Sequence, residues 1–124
     1  MKFDFTMNRL TEKEERVMEL LWDNGPLFVR EMLSFYDQPK PHFNTVSTVV
    51  RLLEKDGFIS HNEYRRHFQY YAAVSREEYN CGMLENVIGK YFDGSYMEAV
   101  SMLVKENKIS VDELKMLIQQ AENR

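Results

Sequence analysis

The chain has one cysteine, three prolines and five glycines in 124 residues, and no uninterrupted apolar run of about 18 residues. A single thiol, Cys81, excludes an internal disulfide framework and a cysteine-rich zinc site; near the start of an amphipathic segment it reads as a small packed residue. The missing apolar run, and the absence of a charged-then-apolar leader, make a membrane span or an export signal unexpected and a cytoplasmic location the simplest expectation. No Ser/His/Asp constellation, glycine-rich phosphate loop or pair of catalytic carboxylates is present, so the chain reads as a non-enzyme without a cofactor. The three histidines, His42, His61 and His67, lack the i, i+4 pairing of a metal site, and none is expected.

What is present is an ordinary globular composition, 44% apolar and 13% aromatic, enough for one domain or two small ones. The net charge of −4 argues against a nucleic-acid partner until its distribution is considered. Between residues 38 and 74 the balance reverses: Lys40, Arg51, Lys55, Arg65 and Arg66 stand against Glu54, Asp56 and Glu63, and all three histidines fall in the same stretch. A DNA-binding protein needs a local positive footprint rather than an overall basic charge.

The segment from Asn44 to Asp56 has the most specific pattern. At about 100° per residue it separates into an apolar stripe of Val46, Val49, Val50 and Leu53 and an opposite stripe of Asn44, Thr48, Arg51 and Lys55, flanked by Thr45 and Ser47. Gly57 follows as a stop, since glycine takes the left-handed C-terminal conformation cheaply. Short hydrogen-bonding groups with one Arg and one Lys suit a helix lying against base edges and phosphates; the competing reading is the solvated face of an ordinary core helix.

Its neighbours favour the first reading. Thr11 and Glu14 form a capping box that starts a helix with Val17, Met18, Leu21 and Trp22 on its apolar face, and Asn24-Gly25-Pro26 ends it. Leu27-Phe28-Val29 has the character of a minimal strand, and Arg30 to Tyr36 reads as a short second helix. After the Asn44–Asp56 segment, residues 58–64 and 67–73 are aromatic-rich strands of a hairpin with Arg65-Arg66 at its turn. A tight primed turn prefers Asn-Gly, so a longer loop is expected there. Three helices followed by an arginine-tipped ribbon is the order of a winged helix-turn-helix. Asn44, Thr45, Ser47, Thr48 and Arg51 would contact bases and nearby phosphates, with Lys55, His42, Arg65, Arg66 and His67 on the DNA backbone.

Beyond residue 74, capping boxes at Ser75/Glu78 and Ser110/Glu113 and a break at Asp93-Gly94-Ser95 divide the chain into three short amphipathic helices. Fifty residues so arranged cannot enclose a private core, and a second copy of the chain is the simplest cover for their apolar faces. The residues expected there are Leu84, Val87, Ile88, Tyr91, Val100, Leu103, Val104, Leu114, Leu117 and Ile118. The expected architecture is mainly α with a small β-hairpin: a winged-helix DNA-binding domain over 1–74 and a three-helix dimerisation region over 75–124. A winged-helix module for protein–protein assembly, with its polar helix facing a protein, is the alternative.

Leu10-Thr11-x-x-Glu14-x-x-Val17-Met18-x-x-Leu21-Trp22, Thr45-Val46-x-Thr48-x-x-x-x-Leu53-x-Lys55-x-Gly57, Ser75-Arg76-Glu77-Glu78-Tyr79 and Phe92-Asp93-Gly94-Ser95 occur in register over residues 10–121. In this order they resemble the penicillinase repressor family (the BlaI/MecI/CopY type). The resemblance implies a dimeric repressor on a pseudo-palindromic DNA operator, controlling β-lactam resistance or a related stress operon. It also implies a membrane metallopeptidase sensor as a partner, with repression ended by cleavage in the dimerisation region. The bond that aligns with the family's cleavage site is Met102-Leu103, where the family's Asn-Phe pair is absent. The cysteine cluster of the copper-responsive branch is absent too, which disfavours that mode of sensing.

Overall fold

A computed structural model describes residues 9–124; the first eight residues of the expected 1–74 domain lie outside the described part. The element order is α1 (Glu12–Asn24), β1 (Leu27–Phe28), α2 (Val29–Leu33), α3 (Phe43–Lys55), β2 (Ile59–Tyr64), β3 (His67–Ala72), α4 (Arg76–Tyr91), α5 (Tyr96–Lys105) and α6 (Val111–Glu122). The chain divides into two compact units, Met1–Met83 and Leu84–Arg124, so the division falls within α4 rather than before it.

In the first unit α1 begins as the sequence predicts. The Thr11 hydroxyl accepts from the Glu14 N–H, and the Glu14 carboxylate accepts from the Thr11 N–H at 2.9 Å, satisfying two of the orphan donors of a helix start. Val17, Met18, Leu20 and Leu21 are buried along its inner face. Trp22 is half-buried, and its indole Nε1 donates to the Val74 carbonyl at 2.9 Å, which satisfies its polar edge.

The second helix is shorter than the Arg30–Tyr36 span expected. It ends at Leu33, after which Ser34, Phe35 and Tyr36 tighten into i→i+3 turns on Glu31, Met32 and Leu33. At its start the Glu31 carboxylate accepts from the Phe28 N–H at 2.9 Å.

Helix α3 buries Val46, Val50 and Leu53 and half-buries Val49. Its end follows the predicted stop: Gly57 has φ +88°, and the Phe58 N–H closes on the Leu53 carbonyl at 2.9 Å, a Schellman arrangement that turns Phe58 into the core. Phe58, Met18, Met32, Leu53, Val17 and Val50 are fully buried, at about 1.5–3 kcal/mol of hydrophobic stabilisation each.

The hairpin joins a three-stranded antiparallel sheet of order β1-β3-β2, with Leu27 opposite Tyr70 and Tyr64 opposite His67. This register leaves only Arg65 and Arg66 in the turn, with φ of 47° and 71°. The longer loop expected from the sequence is therefore wrong. Cross-strand pairing from Ile59–Ala72 to Tyr64–His67 imposes a two-residue turn of the primed kind, and two arginines accept the left-handed conformation it requires.

In the second unit, the Ser95 hydroxyl caps α5 and a complete Ser110/Glu113 box caps α6, while Asp93 (φ 51°) and Gly94 (φ 79°) make the predicted break. Most of its large apolar side chains are exposed within one chain, among them Leu84, Val87, Tyr91, Val100, Leu103, Leu117 and Ile118. Ile88 is buried, and Val104 and Leu114 are half-buried. Cys81 is exposed rather than packed: the sides of α4 that turn inwards near it carry Tyr79 and Gly82. No helix among the described residues is long and apolar enough to cross a membrane.

Candidate nucleic-acid interface

Because Val46, Val50 and Leu53 anchor α3 in the core, the helix is held with Asn44, Thr48, Arg51 and Lys55 exposed and Ser47 half-exposed. No acidic residue stands in its first turn, unlike α1, α4, α5 and α6. The helix start is thus open to an anion. His42 occupies the N-cap position without a side-chain capping bond, and its side chain is exposed at that end.

Two local hydrogen bonds refine the roles on this face. The Thr48 hydroxyl donates to the Asn44 carbonyl at 2.9 Å, so outwards it offers a methyl group and acceptor lone pairs. Arg51 Nε donates to the Ser47 carbonyl at 3.4 Å, which lays the side chain along the helix; its terminal nitrogens form the fork that suits guanine O6 and N7.

The wing is fixed to this helix by side chains. Glu54 Oε2 meets His61 Nδ1 at 2.5 Å, and the His61 ring stacks on Phe68 with centroids 4.1 Å apart and planes at 17°. Tyr70 meets both His61 and Phe68 edge-on. Burial first, and then the Glu54 carboxylate, raise the Tyr70 phenol above its ordinary value near 10, with Arg51 opposing. Glu54, the helix's own acidic group, is thereby drawn towards the wing. Phe28 packs edge-on against Tyr64 at 6.3 Å, so β1 braces the hairpin as well as extending the sheet.

Between α3 and the wing lies an open groove of about 210 Å³. It gathers Ser47, Arg66 and His67, which the sequence predicts as contacts, with Arg30, Phe43 and Phe68, which it does not. Arg65, beside Arg66, and Lys55, at the far end of α3, are exposed. Arg30 was missed because one arginine after an apolar run looks like any solvated residue; only the packing of α2 beside α3 brings it to the groove. Phe43 was hidden by its apolar character, which suggests a core position. Among the described residues no group of three or more His, Cys, Asp or Glu side chains forms a possible metal site.

The penicillinase repressor family model matches residues 10–123. The methicillin resistance regulatory protein MecI of Staphylococcus aureus (strain N315) is 25% identical over 109 residues, 87% of this chain and 89% of its own length. The protein of the same name from Mammaliicoccus sciuri is 30% identical over the same coverage. A solved MarR family regulator from Neisseria meningitidis gives a loose overlay on 93% of this chain and 82% of its own, with 18% identity and a TM-score of 0.43.

Proposed function

The chain belongs to the penicillinase repressor family, whose members are DNA-binding transcriptional repressors rather than enzymes, and we propose that it acts as a homodimer on a pseudo-palindromic DNA operator. The observation that carries this reading is a groove that brings Phe43 and Ser47 of α3 together with Arg30 and the Arg66–His67 end of the wing, beside the exposed Asn44, Thr48 and Arg51; Thr45 faces α1 instead. Asn44, Ser47, Thr48 and Arg51 read base edges and nearby phosphates. Lys55, His42, Arg65, Arg66 and His67 hold the backbone, and Arg30 adds a contact on the same side.

Dimerisation through the second unit is supported by its uncovered apolar side chains, Leu84, Val87, Tyr91, Val100, Leu103, Leu117 and Ile118, with the half-buried Val104 and Leu114 beside them. Ile88, already buried within one chain, adds little to that face. Two copies would place two reading helices on a duplex, and half-sites about one helical turn apart, or a multiple of it, follow from that symmetry.

The regulated genes belong to β-lactam resistance or a related stress response, by likeness to the methicillin resistance regulators. A membrane metallopeptidase sensor ends repression through cleavage at Met102-Leu103. Both residues lie within α5 and Leu103 belongs to the proposed dimer face, so the helix and the dimer contact around it must open before a protease can take the bond.

Nuclease protection of the DNA upstream of the chain's own reading frame, combined with the mass of the free protein in solution, tests this reading. The expected result is a protected, two-fold related site and a dimeric mass. A chain that protects no DNA and shows no preference for its upstream sequence is instead a protein-assembly module.

A further inference from the structure

We propose that Phe43 is a specificity-determining residue that reads the C5-methyl group of a thymine in the major groove, an inference that rests on the DNA-binding reading above. Phe43 is the first residue of α3 and is 44% exposed, outside the buried core cluster. The ring lies at the edge of the polar face, between Val50 and Ser47, and the part of it left in water gains nothing in the free chain.

Its position gives it a target. Phe43 and Ser47 are one helical turn apart on the same side of α3, and both line the groove shared with Arg66 and His67. Where Ser47 reaches the base edges, the ring lies one turn nearer the N-terminus, the end of a recognition helix that contacts bases. Phosphate oxygens and the polar edges of the bases lose hydration without compensation against a phenyl ring. The thymine methyl is the apolar feature of the major groove, and phenylalanine is one of the side chains that suits it. Arg30 and Arg66 around the groove supply charge for the backbone, and His67 an imidazole edge, which leaves the ring free to face a base. Leu52, also exposed on α3, lies about 180° around the helix from Phe43.

The test uses the full-length chain and the duplex it protects upstream of its own reading frame, with each thymine replaced singly by deoxyuridine. That exchange deletes the methyl group and leaves the hydrogen-bonding edge intact. Wild type is expected to lose about fourfold in affinity at one thymine of each half-site, the fold-change equivalent to about 0.8 kcal/mol for one buried carbon. Phe43→Ala is expected to bind the thymine and uracil duplexes equally, and Phe43→Leu to keep part of the discrimination, with unfolding temperatures like that of wild type. Indifference of wild type to deoxyuridine at every thymine, or a methyl preference that survives Phe43→Ala, overturns the assignment and leaves the DNA-binding reading standing. Failure of wild type to protect any upstream DNA overturns both.

Discussion

Glu54 on α3 and His61 on β2 meet at 2.5 Å, with the His61 ring stacked on Phe68, so the helix and the wing that bracket the groove are joined by one side-chain pair. Both side chains are about one-third exposed, at 29% and 31%. The pair's value therefore lies in holding two surfaces in register more than in net stability.

This relationship predicts a coupling. Glu54→Ala and His61→Ala should each cost about 0.5–1.5 kcal/mol of stability, with a double-mutant cycle returning a coupling of about 1 kcal/mol. Operator affinity should fall several-fold in the His61→Ala chain, whose imidazole lies behind the groove beside Phe68. Urea unfolding and operator titration of the three variants measure both quantities.

The wing turn predicts effects of opposite sign. Arg65 and Arg66 sit at φ 47° and 71°, a conformation that costs a non-glycine residue about 1–2 kcal/mol. Replacing the pair by Asn-Gly should raise the unfolding free energy by about 1–2 kcal/mol, because that dipeptide suits a primed turn. The same replacement should weaken DNA binding at every sequence. If both arginines of each subunit contact phosphates, the slope of log affinity against log salt should fall by about three to four for the dimer. A salt slope equal to that of wild type would remove the wing from the interface.

Thr48→Ala and Arg51→Ala should act on discrimination. Each is expected to narrow the affinity gap between the operator and a version mutated at the contacted base by about 1–3 kcal/mol, with a smaller change on unrelated DNA. Titrations on the two duplexes separate this outcome from a uniform loss.

Tyr79 gives the first unit a predicted alkaline limit. Its hydroxyl donates to Glu15 at 2.6 Å, and burial first, with that bond and the Glu15 charge after it, raises the phenol above its ordinary value near 10. The unfolded chain releases this proton more readily than the folded one. The stabilising contribution is therefore complete below pH 10 and declines as the pH rises past it. Tyr79→Phe should remove that share of the alkaline decline while costing about 1 kcal/mol at neutral pH, where the hydrogen bond is lost. Unfolding curves from pH 8 to about 11 test the sign.

The parts legible in the sequence are those governed by near neighbours. The Thr11/Glu14 and Ser110/Glu113 capping boxes, the Gly57 stop and the two faces of α3 depend on residues three or four apart, and each occurs where the pattern places it. The turn at Arg65-Arg66 was misread because its local preference is overridden by six cross-strand pairs, whose energy lies outside the turn itself. Arg30 and the Glu54–His61 contact were invisible for a related reason: they depend on how α2 and β2 settle against α3. In the second unit the pattern identifies apolar faces, and it cannot separate Ile88, buried within one chain, from exposed Leu84 and Val87 beside it.

The central assignment, that α3 reads sequence while the wing holds the backbone, is tested most directly by one comparison. The ratio of operator affinity to shuffled-sequence affinity is measured for wild type, Arg51→Ala and the Arg65→Ala/Arg66→Ala double variant at a fixed salt concentration. The predicted result is a ratio reduced about tenfold or more by Arg51→Ala and nearly unchanged in the wing variant, whose affinity falls on both DNAs. A ratio preserved in Arg51→Ala, or lost through the wing substitutions instead, would contradict it.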